Sequence, residues 1–449
     1  MGRCNSIYQI SLRTFTKKGT LKAAQELIPH IARMGFDSIY VCSLCEADAD
    51  PDIMTWSPRQ ILSNSGNPKN SYKIKDFFHV DPEYGTDEDL RDFIECVHKH
   101  GMKYIFDLVY LHCGRNAVFI DEIADSVIKG KDGKPIIGET WPFARINYES
   151  AEMREYLWKN MFYYAFDFDV DGFRCDVGSK VPVDFWAEGA RRIREKKPDF
   201  IMISEDFNPA YYSDEYKDVF DLWYLGDCPQ KALLKGEMTT KEFKEKEIFK
   251  DCQTDSKGAR YLENHDTASD MGSKRTDKRT RLYGPDNFET LMNYLWNGVP
   301  FVWNGFEVAD NSVQSMFASR EYGGFNSIDW SYALTDLGIE RMNFIKSLNA
   351  IRNKHPELQF SKMSWLADKE GMLAFKHSLN GEELFAVLNY TDKEISEDFD
   401  KIPEKAELCG SEQKHAYARR IRILCGIYTG IKHTKEQGSA LLFLYAHPI

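Results

Sequence analysis

The chain has 449 residues, of which 43% are hydrophobic and 29% are charged, a composition typical of a folded globular protein with more than one core. Its formal net charge of -12 repels phosphate backbones and anionic lipids, so we expect no nucleic-acid or membrane partner. No apolar run has the length of a signal peptide or a membrane span, and the ten cysteines are scattered. These features indicate reduced thiols and a cytoplasmic protein. The sequence leaves open whether the chain is a monomer or a homo-oligomer.

Apolar segments alternate with helical patterns along the first 355 residues, as is typical of parallel βα units. Eight strands are predicted, at residues 6–10, 38–41, 103–108, 173–177, 200–204, 219–222, 259–262 and 300–303. Residues 21–34 have a helical pattern, and Thr86 with Asp89 three residues later forms a capping box for a helix that runs to His100. The last helix of the series is expected to stop before Pro356.

These elements predict an α/β fold, a (β/α)8 TIM barrel formed by residues 1–111 and 151–355. Residues 112–150 contain several glycines and are too long for a simple connection, so they are expected to form a short inserted subdomain after strand 3. Residues 356–449 are expected to form a C-terminal antiparallel β-sandwich domain. Its predicted strands are residues 372–376, 384–388, 421–424 and 440–445.

Four segments end predicted barrel strands in ionisable residues. They are Asp107–His112, Gly172–Asp176, Ile203–Glu205 and Asn264–Asp266. The strands of a barrel converge at one rim, where residues far apart in sequence meet. Three carboxylates, an arginine and two histidines from these strand ends suit the cleavage of a sugar acetal.

Cleavage of a glycosidic bond needs a carboxylic acid for the leaving oxygen and a second, ionised carboxylate at the anomeric carbon. Arg174 precedes Asp176 by two residues, so strand alternation places both side chains on one face. The guanidinium is expected to lower the pKa of Asp176 and to keep it ionised as the nucleophile. Glu205 has no basic neighbour in sequence and is the better candidate for the acid. Cys175 points to the opposite face and is expected to serve only packing.

These segments resemble the α-amylase superfamily, glycoside hydrolase family 13, whose patterns are D-x-V-x-N-H, G-F-R-x-D, a glutamate ending the fifth strand, and N-H-D. The resemblance covers roughly the first 355 residues. Residues 81–86 (Asp-Pro-Glu-Tyr-Gly-Thr) and 304–307 (Asn-Gly-Phe-Glu) match two further family segments.

The resemblance implies a retaining mechanism on α-linked glucose units. Asp176 would be the nucleophile, Glu205 the general acid and base, and Asp266 the carboxylate that grips ring hydroxyls and stabilises the transition state. The other matched positions imply substrate-binding roles, for Tyr72, Asp107, His112, Arg174 and His265. The implied substrate is an oligosaccharide, an α-glucan or α-glucoside with α-1,4 or α-1,6 bonds, and no cofactor is implied.

Three positions depart from the family pattern or qualify it. Leu111 stands where many members carry a calcium-ligating asparagine, so no metal is expected there. Ser269 replaces an arginine that helps to close the pocket in many α-glucosidases of the family. Val177 after the nucleophile often accompanies α-1,6 activity, and it could equally be a core valine.

Three functions remain open at this point. The first is a hydrolase of α-glucans or α-glucosides. The second is a transglycosylase or glucoside isomerase on the same scaffold, which differs only in excluding water from the intermediate. The third is a non-catalytic carbohydrate-binding relative, for which a nucleophile and an acid together would serve no purpose.

Overall fold

The structure is a computed structural model of the chain. It describes residues 4–138, 141–225, 232–233, 236–245, 258–268, 290–322, 327–361, 363–367, 369–378, 383–391, 395–398, 407–409, 420–423, 427–428 and 440–446. Ser269 and residue 424 of a predicted strand lie outside these ranges.

Eight parallel strands close into a barrel in which each strand neighbours the next one in sequence. They are β1 (Ile7–Ile10), β2 (Ser38–Val41), β3 (Lys103–Leu108), β4 (Gly172–Cys175), β5 (Ile201–Ser204), β6 (Leu222–Leu225), β7 (Gly258–Tyr261) and β8 (Val299–Trp303). The predicted TIM barrel is therefore confirmed.

The barrel strands are buried on both faces, as parallel strands covered by helices must be. All residues of β1, β2, β4 and β5 are buried. Gly172 lets β4 approach β5 closely, because a Cβ atom at this position would lie 2.7 Å from the carbonyl oxygen of Ile201. This glycine therefore secures the pairing of Gly172 with Ile201 that sets the register of the two strands.

Two predicted elements differ from the structure by more than one or two residues at an end. The helix predicted over residues 21–34 is two helices, Leu21–Gln25 and Ile28–Arg33. Pro29 lies in the first turn of the second helix, where its missing N–H is tolerated, although it could not continue the first. The sixth strand begins at Leu222 rather than residue 219, because Leu222 pairs with Ile203 in the barrel register.

The capping box predicted at Thr86 and Asp89 is present. The α-helices of the first 355 residues are Leu12–Phe15, Leu21–Gln25, Ile28–Arg33, Pro58–Leu62, Asp87–Lys99, Phe119–Glu122, Ala151–Phe162, Val183–Arg194 and Asp336–Lys354, and a π-helical turn follows at Tyr163–Asp167. The 3-10 helices are Ile53–Thr55, Gly178–Lys180, Pro209–Tyr212, Trp330–Leu334 and Pro356–Phe360.

Two small hairpins extend from the rim of the barrel. Cys45–Ala47 pairs antiparallel with Ile74–Val80, in the connection between β2 and β3. His112–Cys113 pairs antiparallel with Ala144–Arg145 and ties together the ends of the predicted inserted segment.

The C-terminal region is β-rich, as predicted. A six-stranded sheet contains Met363–Trp365, Met372–Ser378, Glu383–Asn389, Glu407–Cys409, Ile427–Tyr428 and Ala440–Ala446. Its first three strands pair antiparallel, whereas Ala440–Ala446 runs parallel to Glu383–Asn389. Ile395–Asp398 and Arg420–Ile423 form a separate antiparallel pair.

The chain divides into two compact units. One comprises Met1–Tyr224, Glu263–Thr280 and Phe301–Ala350, and the other comprises Leu225–Leu262, Arg281–Pro300 and Ile351–Ile449. The domain boundaries expected from the sequence, at residues 111, 150 and 355, stay a prediction. Among the described residues, every helix is too short or too polar to cross a membrane.

Candidate active site

The register of three neighbouring strands brings the predicted acidic residues together. Asp107 of β3 pairs with Arg174 of β4. Asp176 immediately follows β4, and its N–H donates to the Leu108 carbonyl at 2.8 Å. Glu205 immediately follows β5, and its N–H donates to the Cys175 carbonyl at 3.0 Å. Both carboxylates therefore leave adjacent strands at the same rim of the barrel.

Arg174 is completely buried and contacts three carboxylates. Its Nη1 donates to Asp107 Oδ1 at 2.8 Å and to Asp176 Oδ1 at 2.9 Å. Its Nη2 forms an ion pair with Glu205 Oε2 at 2.6 Å. One guanidinium therefore orients the candidate nucleophile and the candidate acid at the same time.

Asp107 is fully engaged by the protein. Its Oδ2 accepts hydrogen bonds from the hydroxyls of Tyr40 at 2.7 Å and Tyr72 at 2.8 Å, and from the Ser43 N–H at 3.2 Å. With Arg174 on its other oxygen, Asp107 acts as an anchor for the groups around it.

Burial and neighbouring negative charges raise the pKa values of the two central carboxyls. The pKa of Asp176 lies well above its usual value, because burial and the charge of Glu205 outweigh Arg174. Burial likewise raises the pKa of Glu205, against the opposing effect of Arg174. Arg174 does lower the pKa of Asp176, as expected, but the net shift is upward because burial and the charge of Glu205 are larger. Two such groups tend to share one proton.

Val177 links these two carboxylates through its backbone. Its N–H donates to Glu205 Oε2 at 2.8 Å. Its φ of 43° and ψ of 38° are left-handed, which is rare for a β-branched residue. This conformation also ends β4 at Cys175, two residues earlier than predicted. Cys175 is completely buried, as its packing role requires.

The two histidines are buried and neutral near pH 7. Burial lowers the pKa of both His112 and His265 to about 4. His112 Nε2 donates to the Tyr72 carbonyl at 3.0 Å. His265 Nδ1 accepts from Gln9 Nε2 at 2.9 Å, so its Nε2 carries the proton and lies 3.5 Å from Asp266 Oδ2. The ring of Tyr72 stacks on that of His265, with the planes 11° apart.

Asp266 has a partner that the sequence did not suggest. Arg59 Nη1 donates to Asp266 Oδ1 at 2.5 Å. Burial acts to raise the pKa of Asp266, but His265 and Arg59 outweigh it and lower the pKa to about 2. Asp266 is therefore ionised throughout the neutral range.

A cavity of about 730 Å³ opens beside these groups. It is lined by Arg59, Asn70, Tyr72, Leu111, His112, Trp141, Phe143, Arg145, Asp176, Val177, Lys180, Glu205, His265, Asp266, Met316 and Phe317. The lining includes six of the eight predicted site residues. Asp107 and Arg174 lie behind it, in contact with residues of the wall.

Sequence reasoning missed several residues of the cavity wall. Ser57 followed by Pro58 is a helix-start signal, and the structure has a short helix there. No local pattern, however, could place Arg59 against a carboxylate 207 positions later. Trp141 and Phe143, from the inserted segment, carried no signal beyond their aromatic rings.

Residues 7–134 match the family model of the alpha-amylase catalytic domain. The chain is 22% identical over 394 residues to Alpha-amylase 2 of Dictyoglomus thermophilum, which covers 84% of this chain and 65% of that protein. It is 27% identical over 393 residues to the Maltogenic alpha-amylase of Bacillus acidopullulyticus, which covers 81% of this chain and 59% of that protein. The chain thus spans about three fifths of the length of these relatives.

The fold is similar to the crystal structure of a maltogenic alpha-amylase, AmyB, from Thermotoga neapolitana. That comparison has a TM-score of 0.71 at 20% identity and covers 95% of this chain and 94% of the other. Together with the closed barrel, these similarities support the resemblance read from the sequence: residues 7–134 match the alpha-amylase family, and the fold over 95% of the chain is that of a solved alpha-amylase.

Proposed function

We propose that the protein is a retaining glycoside hydrolase that acts on α-linked glucose oligosaccharides, through α-1,4 or α-1,6 bonds. The observation that carries the proposal is the contact of Asp176 and Glu205 with one guanidinium, at 2.9 Å and 2.6 Å, in the wall of a cavity that also holds Asp266. A retaining mechanism needs two carboxyl groups at close range.

In the first step, the Glu205 carboxylic acid gives its proton to the glycosidic oxygen as the bond from that oxygen to the anomeric carbon breaks. An Asp176 oxygen forms a bond to the same carbon from the opposite face, which inverts the configuration and gives a glycosyl-enzyme ester. Burial raises the pKa of Glu205, which favours the protonated form that this step requires.

In the second step, the Glu205 carboxylate takes a proton from a water molecule. The water oxygen bonds to the anomeric carbon and displaces Asp176, which leaves as a carboxylate. The second inversion restores the original configuration, and the enzyme returns to its starting protonation state.

The surrounding residues support these two steps. The Val177 N–H at 2.8 Å orients Glu205, and we assign Arg174 and Asp107 positioning roles behind the wall. Asp266 offers a second negative charge near the developing oxocarbenium ion. Tyr72 provides an aromatic face, His265 a neutral N–H donor and His112 a ring-nitrogen acceptor for sugar hydroxyls.

The substrate class rests on the cavity and on the relatives. Trp141, Phe143 and Phe317 give apolar faces of the kind on which sugar rings pack. Two similar proteins are named alpha-amylase and maltogenic alpha-amylase. An oligosaccharide of α-linked glucose is the ligand that fits both.

The test is incubation with maltose, isomaltose and maltotriose, followed by proton NMR of the first product. We expect free glucose or maltose born in the α configuration. Initial release of the β anomer would contradict a retaining mechanism, and accumulation of longer or isomeric sugars would identify a transglycosylase or isomerase instead.

The variants D176N and E205Q are expected to lose hydrolysis by several orders of magnitude while binding of maltotriose, measured by calorimetry, persists. A matched control is D184N. Asp184 lies on the helix Val183–Arg194 and pairs with Arg154 at the surface, so this variant should keep wild-type rates. Equal activity of D176N and wild type would refute the assignment of the nucleophile.

We also propose a cytoplasmic location. The six cysteines whose state is described are free thiols, and five of them are buried, as suits a reducing compartment. Recovery of the activity from the culture medium rather than from the cell extract would contradict this proposal.

A further inference from the structure

Arg59 is a cavity residue outside the strand-end segments that carry the proposed chemistry. It lies on the short helix Pro58–Leu62, in the connection between β2 and β3. Its Nη1 donates to Asp266 Oδ1 at 2.5 Å, and only 15% of its side chain is exposed. A largely buried arginine therefore engages the carboxylate that faces the proposed substrate.

The guanidinium is held from more than one side. Nη2 lies 3.6 Å from the Met316 sulfur, and the guanidinium carbon lies 5.9 Å from the centre of the Phe317 ring. These contacts restrict the rotamers of a long side chain before any ligand binds, which reduces the entropy that binding would otherwise cost.

The segment that carries Arg59 is itself anchored by buried polar contacts. Ser57 caps the helix by accepting from the Gln60 N–H at 3.2 Å, and Gln60 Nε2 donates to the Asn67 carbonyl at 2.8 Å. Asn67 Nδ2 donates in turn to the Phe317 carbonyl at 3.1 Å. The same chain of contacts therefore fixes both Arg59 and the phenylalanine beside its guanidinium.

A second anchor lies at the start of this segment. Lys73 is completely buried, and its Nζ donates to Thr55 Oγ1 at 3.0 Å. The same ammonium lies 3.9 Å from both Asp48 Oδ2 and Asp50 Oδ2. Such a connected set of buried polar groups is rigid when its members are satisfied, so Arg59 extends from a fixed base.

The two oxygens of Asp266 are thereby distinguished. Oδ1 is engaged by Arg59, whereas Oδ2 lies 3.5 Å from His265 Nε2, beyond normal hydrogen-bond length. Arg59 and His265 thus approach Asp266 from different oxygens, which sets the plane of the carboxylate. The guanidinium also presents parallel N–H donors on a rigid plane, so Arg59 and Asp266 together offer a donor and an acceptor side by side.

We propose that Arg59 is a positioning and specificity-determining residue that holds Asp266 through Oδ1 and so sets the orientation in which this carboxylate meets ring hydroxyls of the substrate. This inference rests on the proposed glycosidase function and extends it to a residue from a separate connecting segment.

The kinetic test compares R59M, R59K and wild type on a p-nitrophenyl α-maltoside. Because a hydrogen bond to a charged partner is at stake, R59M should lower kcat/KM by about 10- to 100-fold, mostly through kcat, since Asp266 acts in the transition state. R59K keeps the charge without the fork and should recover part of the loss. The control is R191M, from the exposed ion pairs of Arg191 with Glu188 and Glu195, which should stay within about twofold of wild type.

Mono-deoxy analogues of the maltoside distinguish a role of Arg59 in substrate contacts from a merely structural role. For the analogue that lacks the hydroxyl held by Asp266, the R59M penalty should shrink to less than about threefold, because the two deletions remove one interaction. An equal penalty on every analogue, with lowered thermal stability, would overturn the proposal, as would an unchanged kcat/KM in R59M.

A second measurement is independent of turnover. Carboxyl ¹³C NMR, with the Asp266 signal assigned from D266N, should show the pKa of Asp266 higher in R59M than in wild type by at least about one unit. An unchanged titration would refute the Arg59–Asp266 link. If wild type neither cleaves nor binds α-glucosides while this titration still shifts, the proposed function fails and the positioning of Asp266 by Arg59 stands.

Discussion

Val177 offers a sharp test of the geometry around the candidate nucleophile, because its backbone conformation is costly for its side chain. We predict that V177G leaves the free energy of unfolding close to that of wild type, although valine-to-glycine changes normally destabilise a protein. The matched control is V118G. Val118 is also half-buried, but its φ of -56° and ψ of -35° are ordinary helical values.

The expected difference follows from three contributions. A left-handed backbone costs an L-residue roughly 1–2 kcal/mol, which glycine avoids. Glycine loses about 0.5–1 kcal/mol through the greater freedom of the unfolded chain. Removal of a half-buried valine side chain costs about 1 kcal/mol at either position. The free energy of unfolding of V118G should therefore be about 1–2 kcal/mol lower than that of V177G.

The assay is urea denaturation of wild type and both variants, followed by tryptophan fluorescence. The free energies of unfolding are compared with one common denaturant slope for the three proteins. Because V177G retains its backbone N–H, the hydrogen bond to Glu205 should survive and the pH profile of kcat should keep its shape. An equal loss of stability in the two variants would show that Val177 is unstrained, and the account of this turn would then be wrong.

Three further predictions concern other parts of the barrel unit. The pH profile of kcat/KM should be bell-shaped and centred above the usual carboxyl range, since burial raises the pKa values of both Asp176 and Glu205: activity falls in acid as the pair takes up a second proton and in alkali as it loses the shared one. EDTA should leave activity unchanged in a standard assay, because Leu111 has no oxygen for calcium; loss of activity that calcium restores would contradict this. K73M should destabilise the protein by about 3 kcal/mol, because the buried carboxylates of Asp48 and Asp50 lose the ammonium between them and only Asp50 keeps Arg115 as a partner. K75M, from the partly exposed pair with Glu46, is its control in the same denaturation series and should cost less than about 1 kcal/mol.

The positions of the central carboxylates could be predicted from the sequence because they depend on strand periodicity. A short buried strand followed by an acidic residue marks one end of a barrel strand, and Asp176 and Glu205 both follow that pattern. Parallel pairing without register shifts then brings the two residues to one level. The contact of Arg174 with Asp176 follows from the same alternation along β4.

Electrostatic behaviour was less predictable, because it depends on distances across strands. Arg174 is two residues from Asp176 in sequence, but its other nitrogen pairs with Glu205 on the next strand. Burial then outweighs one guanidinium shared between two acids and raises both pKa values. Reasoning along a single strand could not identify that competition.

Connecting segments are where sequence reasoning was weakest, and they are also where the cavity acquires its individual character. The barrel strands supply Asp176, Glu205 and their shared arginine through a periodic pattern. Arg59 and Phe143 instead come from segments whose conformation depends on tertiary contacts, such as the donation from Asn67 to the Phe317 carbonyl. If chemistry is set by strand register and selectivity by such contacts, substitutions at Arg59 should alter which sugars are cleaved, whereas substitutions at Arg174 should abolish cleavage of all of them.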